Sequence, residues 1–211
     1  MQIYYCRNFK NENKYLLEQY SIGKLTDERR QRMEQLKNKE RKMGFLMAEF
    51  QTIEILEKIF CIDNPKIYGV AGKKPYVENG PYFNRSYGGE HLILAFHEEK
   101  PVGIDLEKIT EVDEMVMKYF FTEEEKKYVE NAAIPNLAYT TIWTRKESYM
   151  KYTGQGMEFQ FNMLNTLDYE CPTKSYIIDD CIISVAGEKE IIEKVSITEK
   201  RNYGKEYYRL F

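Results

Sequence analysis

The chain has 211 residues, 43% of them hydrophobic and 31% charged, enough apolar content for one globular domain or two small halves sharing a buried interface. A formal net charge of −3 speaks against a nucleic acid as main partner, because phosphate-backbone binding normally shows as a basic domain. No apolar run approaches the roughly 20 residues that cross a bilayer, so no membrane partner is expected and any phosphate site must be local.

The opening MQIYYCRNFK alternates like a strand and lacks the apolar core and cleavage site of a signal peptide, which predicts a soluble, cytoplasmic protein. Cys6, Cys61, Cys171 and Cys181 stand far apart, with no C-x-x-C pair and no histidine at zinc-like spacing, and read as reduced, buried thiols. From Thr26 to about Phe60 one helix is predicted, since Met33, Leu36, Met43, Leu46, Met47, Phe50, Ile53 and Leu56 recur at three- and four-residue steps. Gly44 within it marks a bend or a close contact. The first part, TDERRQRMEQLKNKERK, has seven basic and four acidic residues and offers either a solvated charged face or a place for an anion. A loop with Gly69, Gly72, Pro75, Gly80 and Pro81 follows. Strands broken at Gly88-Gly89 and Lys100-Pro101 come next, then helices over Thr122 to Glu130 and Leu137 to Tyr152. The last third returns to short strands, SYIIDDCIISVAG and EYYRLF. Ser86-Tyr87-x-x-Glu90-x-Leu92-Ile93-Leu94 is echoed by Ser175-Tyr176-x-x-Asp179-x-Cys181-Ile182-Ile183, a faint sign of duplication.

In Val102-Gly103-Ile104-Asp105-Leu106-Glu107 the apolar residues alternate, so a strand here sends Val102, Ile104 and Leu106 to the core and puts Asp105 and Glu107 together on the other face. Gly103 shares that face and is expected to leave open space beside the acids. Adjacent carboxylates repel unless a cation lies between them, which suits a hard divalent ion. Helical spacing sets Trp143, Glu147 and Lys151 on one stripe, where Glu147 could complete a magnesium site and Lys151 could neutralise phosphates. The same residues also read as a solvated strand face and an ordinary helix ion pair.

Four blocks in order, Gly72-Lys73-Lys74-Pro75, Phe83-Asn84-Arg85-Ser86, Gly103-Ile104-Asp105-Leu106-Glu107 and Trp143-x-x-Lys146-Glu147-x-x-x-Lys151, resemble the 4′-phosphopantetheinyl transferases of the monomeric, two-lobed type that serves surfactin synthetase. The resemblance implies an α+β fold of two similar lobes related by pseudo-twofold symmetry, each a long helix on a small, mainly antiparallel sheet. The lobes would be residues 1–101, with the nucleotide-side contacts, and 102–211, with the catalytic carboxylates, and coenzyme A would bind between them. It further implies Mg2+ at Asp105, Glu107 and Glu147, and catalysis by Glu147, Glu107 and Lys151. Lys73, Lys74, Pro75, Ser86, Tyr87, Lys42, Lys146 and Lys151 would bind coenzyme A, with Ser86 near the 3′-phosphate. The expected partners are coenzyme A and an apo acyl or peptidyl carrier protein, as in fatty-acid, polyketide or nonribosomal peptide synthesis.

Where such transferases usually continue F-N-x-S with histidine and serine, this chain has Tyr87-Gly88, a hydroxyl without a positive charge. Arg29, Arg32, Lys39 and Lys42 are the bases that could take over the phosphate contact. Two other readings stand beside transfer. One is a relative that binds coenzyme A without transferring its arm; the other is a non-enzymatic interaction module using the basic helix. Trp143 suits a core, Tyr119, Phe120 and Phe121 suit either a core or a contact with the carrier, and Met115 and Met117 in the same region suit a docking surface. His91 and His97 read as structural.

Overall fold

The computed structural model describes residues 1–7, 23–70, 72–201 and 206–209. The first half runs β1 (Gln2–Arg7), α1 (Asp27–Glu34), α2 (Lys39–Lys58), β2 (Ile67–Tyr68), β3 (Tyr76–Val77), β4 (Tyr82–Gly88) and β5 (His91–His97). The second runs β6 (Gly103–Lys108), α3 (Glu114–Phe120), α4 (Glu123–Glu130), α5 (Pro135–Thr153), β7 (Thr173–Ile178), β8 (Cys181–Ala186), α6 (Lys189–Ile192), β9 (Ser196–Arg201) and β10 (Glu206–Arg209). The class is α+β.

The helix predicted from Thr26 to Phe60 is two helices. Asn38 divides them, because its side chain accepts hydrogen bonds from the Glu40 and Arg41 N–H groups at 2.8 and 3.1 Å and so starts a new helix. Thr122 opens α4 in the same way, with Glu125 closing a reciprocal capping box.

A five-stranded sheet has the order β10-β9-β1-β5-β4, in which β1 runs parallel to β9 and antiparallel to β5. A three-stranded antiparallel sheet has the order β6-β8-β7. In β1 all of Ile3, Tyr4, Tyr5 and Cys6 are buried, since both faces of the larger sheet are covered. Tyr4 and Cys6 pack toward Met47, Ile55 and Leu56 of α2, while Ile3 and Tyr5 pack toward Ile104, Ile183 and Val185 of the smaller sheet. Helix α5 covers the outer side of the smaller sheet, where the Thr144 and Ser184 hydroxyls meet at 2.7 Å. The layers are therefore helix, sheet, sheet, helix.

The terminal strands β9 and β10 extend the N-terminal sheet, across the boundary expected between residues 101 and 102. The two echoing segments are both hairpins with two-residue loops, Gly89-Glu90 and Asp179-Asp180. Each loop begins with a left-handed residue, φ 56° at both Gly89 and Asp179. Among the described residues no helix is long and apolar enough to cross a membrane.

Candidate active site at a basic cleft and an acid cluster

Strand β6 follows its alternation: Val102, Ile104 and Leu106 are buried between the sheets, and Gly103, Asp105 and Glu107 take the opposite face. The space expected beside Gly103 is filled. A Cβ there would stand 2.0 Å from the Ser148 carbonyl oxygen and 2.5 Å from the Tyr152 nitrogen, so glycine is what lets the backbone of α5 lie directly on the strand. That contact carries Glu147 and Lys151 to Asp105.

Asp105 is 2% exposed. Its Oδ1 accepts hydrogen bonds from Lys151 Nζ at 2.6 Å and from Ser86 Oγ at 2.8 Å, and Lys151 Nζ also donates to Ser86 Oγ at 3.2 Å. Its Oδ2 is buried with no hydrogen-bond partner, a position that a cation satisfies. Lys151 thus bonds across the fold rather than along its own helix to Glu147, and Ser86, expected at a nucleotide phosphate, bonds the acid instead.

Burial, then the charge of Asp105, raises the Glu147 carboxyl to about 7 against the pull of Lys151. Glu107 is also raised to about 7, by burial, then Asp105, with Glu147 adding and Lys151 opposing. Glu107 keeps a solvent-facing surface, so water screens it more than the half-buried Glu147. The three acids feel one another's charge, yet their oxygens do not all lie within 4.8 Å of one another.

Next to this cluster opens a cleft of about 380 Å³, lined by Arg32, Lys73, Lys74, Pro75, Tyr87 and Lys151 among others. Lys74 Nζ donates to the Val102 carbonyl at 2.6 Å, strapping its loop to the start of β6, and burial lowers its ammonium to about 8. Lys73 beside it is exposed. The cleft is also lined by Arg29 and Arg85, both of which ion-pair with Oε1 of the fully buried Glu49. Two guanidinium groups on one carboxylate leave a positive charge against the cleft. Arg29 is further held by the Gly69 carbonyl at 3.2 Å, and Arg85 by Thr52 Oγ1 at 2.9 Å. The Tyr87 ring lies over Gly44 of α2, where an added Cβ would meet it at 2.8 Å; Gly44 marks a close contact.

Lys146, expected to bind cofactor, does not reach the cleft. It is fully buried, with Nζ on Glu125 Oε2 at 2.7 Å and on the Phe161 carbonyl at 2.7 Å, because one residue's rotation from Glu147 turns it to the other side of α5. Lys42 is half-buried on α2 and does not line the cleft. Trp143 stacks on Phe161 with an interplanar angle of 17°, and Phe121 is core, whereas Met115, Tyr119 and Phe120 are exposed. The cysteines are all free, but Cys61 is exposed and Cys171 only partly buried. Sequence reasoning passed over the Glu49 anchor, whose signal was a lone acid inside the apolar stripe of α2.

Residues 101–184 match the family model of the 4′-phosphopantetheinyl transferase superfamily. The 4′-phosphopantetheinyl transferase gsp of Aneurinibacillus migulanus is 33% identical over 125 residues, 56% of this chain and 51% of that protein. The 4′-phosphopantetheinyl transferase Sfp of Bacillus subtilis (strain 168) is 27% identical over 145 residues, 63% of this chain and 62% of that protein. The chain spans roughly half to three fifths of the length of these curated relatives. A crystal structure of Thermotoga maritima holo-acyl-carrier-protein synthase covers 52% of this chain and 81% of its own, at 14% identity and a TM-score of 0.37, too loose a likeness to argue from. The matched stretch, residues 101–184, is the one that carries Asp105, Glu107, Glu147 and Lys151, and in it the chain is similar to the 4′-phosphopantetheinyl transferase superfamily.

Proposed function

We propose that the chain moves the 4′-phosphopantetheine arm of coenzyme A to a serine of an acyl or peptidyl carrier protein and releases 3′,5′-ADP. The observation that carries this reading is the position of Lys151, which lines the basic cleft and at the same time bonds Asp105 of the acid cluster. A ligand with a phosphate-rich nucleotide at one end and a reacting diphosphate at the other fits that junction. The names of the relatives, which are transferases of this group, agree with it.

In this reading Arg32, Lys73 and the charge left by the Arg29–Glu49–Arg85 set bind phosphate, while Lys74 and Pro75 flank the base and Tyr87 offers its hydroxyl. Asp105, Glu107 and Glu147 would hold Mg2+. The unpartnered Asp105 Oδ2 and two carboxyls raised by crowding are the donor set of a hard dication, which would lower both. Bound there, the ion supplies charge neutralisation to the diphosphate. The serine oxygen bonds to the β-phosphorus, the bond from that phosphorus to the bridging oxygen breaks, and its electron pair leaves with 3′,5′-ADP. Glu147 or Glu107 takes the serine proton, a task suited to a carboxylate whose affinity for protons lies near neutrality. Lys151 steadies the charge that grows on the phosphate oxygens. Residues 1–101 and 102–211, each presenting a hairpin and a long helix, would form the two pseudo-symmetric sides of the cleft.

The test uses the full chain with Mg2+, coenzyme A and an apo carrier protein, read by intact mass. A carrier heavier by one phosphopantetheinyl group supports the proposal, and unmodified carriers of the fatty-acid, polyketide and peptide types refute it. Coenzyme A bound without transfer would select the inactive-relative reading, which the tyrosine at position 87 motivates.

A further inference from the structure

At the end of the sheets away from β6's glycine, the tip of the β7–β8 hairpin meets the first residue of β5. There a ring nitrogen of His91, a carboxylate oxygen of Asp180 and the sulfur of Cys181 all lie within 4.8 Å of one another, the only such group of three among the described residues. We propose that these side chains bind a borderline divalent metal ion, zinc by donor type, which ties the five-stranded sheet to the β7–β8 hairpin.

The hydrogen bonds around His91 select the tautomer a metal needs, while burial and the charge of Asp180 push the Cys181 thiol up to about 12, so an ion must displace its proton. Tyr5 donates its one hydroxyl proton to Asp179 Oδ2 at 3.1 Å, an oxygen that also pairs with Arg7 at 2.8 Å and so acts as an acceptor. The contact of 2.7 Å between the Tyr5 oxygen and His91 Nδ1 must then be donated by Nδ1–H. The lone pair of His91 is left on Nε2, which faces Asp180 Oδ1 at 4.0 Å. A carboxylate that fixes an imidazole tautomer through a second group is the outer-shell arrangement of metal-binding histidines.

Asp180 is oriented likewise. Lys108 Nζ takes its Oδ2 at 2.6 Å, so Oδ1 turns inward, where Cys181 Sγ stands 3.6 Å away. Tetrahedral zinc with nitrogen, oxygen and sulfur ligands sets those atoms about 3.3–3.8 Å apart, so the present spacings close on an ion with small side-chain shifts. On binding, the thiol proton passes to water and the sulfur's electron pair to the metal; thiolate and carboxylate then balance the dication. Imidazole with thiolate favours zinc over magnesium or calcium, which prefer oxygen alone. Cys181 is fully buried, while Asp180 is exposed and His91 partly so, which leaves an approach from solvent on the carboxylate side and room for water as fourth ligand.

This site stands independently of phosphopantetheine transfer, and its test reads the metal directly. The reduced, metal-stripped full chain is titrated with Co2+, a spectroscopic stand-in for zinc, and then with Zn2+. The expected result is visible absorption of tetrahedral cobalt with a near-ultraviolet thiolate-to-cobalt band, both displaced by Zn2+. Cys181→Ser should remove the near-ultraviolet band, His91→Gln should weaken cobalt binding at least tenfold, and Tyr5→Phe should weaken it by about 10- to 100-fold through the lost tautomer control. Cys61→Ser should leave the spectrum unchanged. A wild-type chain with no thiolate band, or a band that survives Cys181→Ser, overturns the proposal. Should Cys181→Ser fail to fold, unaltered cobalt affinity in His91→Gln overturns it equally.

Discussion

Replacing Glu147 by Gln separates the electrostatic cost of the acid cluster from its chemistry. The wild-type carboxyl ionises near 7 in the folded protein against 4.5 as the ordinary value, with burial the main cause and Asp105 the second. The sign follows from linkage. Below pH 4.5 the group is protonated whether the chain is folded or unfolded and costs nothing; as pH rises through 7 the folded chain must ionise a carboxyl that its surroundings disfavour, and stability is lost. At 1.36 kcal/mol per tenfold in proton affinity, full ionisation costs about 3 kcal/mol, which water reaching the half-buried carboxyl reduces to about 1–2 kcal/mol. Glutamine keeps the shape and drops the charge. In urea melts without divalent ions, Glu147→Gln should match the wild type near pH 4.5 and exceed it by about 1–2 kcal/mol at pH 8. Adding Mg2+ at pH 8 should raise the wild-type midpoint more than that of the variant, while transfer to a carrier is lost in the variant. A stability difference that is absent at pH 8, or that grows as pH falls, would refute the reasoning.

Gly103→Ala forces a Cβ to within 2.0 Å of a backbone carbonyl on α5, an obstacle that no rotamer relieves, and should cost about 3 kcal/mol or more in the same melts. Lys146→Met strands the fully buried Glu125 and should destabilise by about 3–5 kcal/mol, whereas Lys73→Met, at an exposed position, should change stability by less than about 0.5 kcal/mol and instead weaken coenzyme A binding in calorimetry. Tyr87→His puts a titratable cation at the cleft wall and should tighten coenzyme A binding about five- to tenfold at pH 6 and less at pH 8; equal affinity at both pH values would remove position 87 from the phosphate contact.

The parts of this molecule legible in the sequence are those set by periodicity over short stretches. The alternation in β6 correctly assigned Ile104 to the core and Asp105 to the far face, because a strand's two sides are fixed by its pleat alone. Gly103 shows the limit: its missing side chain was visible, but whether solvent or a helix fills the gap depends on a segment some 45 residues away. Lys146 was misplaced because it adjoins Glu147 in the chain, although about 100° of helical rotation separates their directions and one faces Glu125 while the other faces Asp105. The helix division at Asn38 was readable in principle, since asparagine before a glutamate- and arginine-bearing turn is a start signal that the apolar repeat overrode. His91 and Cys181 lie 90 residues apart, and nothing local foretells that β1 and the β7–β8 hairpin meet through Tyr5 and Asp179.

The layer order explains why opposite charges collect so close together without cancelling. Glu49 is anchored on α2, which covers the outer face of the larger sheet, and its two arginines are directed to a cleft that Lys73 and Arg32 make more basic. Asp105, Glu107 and Glu147 are anchored on β6 and α5, on the outer face of the smaller sheet. Among the described ion pairs only Lys151 with Asp105 joins the cleft lining to the acid cluster; burial and Asp105 keep Glu107 and Glu147 protonated more readily than exposed acids, and the arginines stay in excess over their carboxylate. Neither group is neutral by itself. A ligand that brings anionic oxygens to the arginine side together with a cation for the acid side would relieve both, and one that brings only one of them would leave half of the strain in place; under the proposed function the nucleotide and the metal ion would therefore bind cooperatively at Lys151.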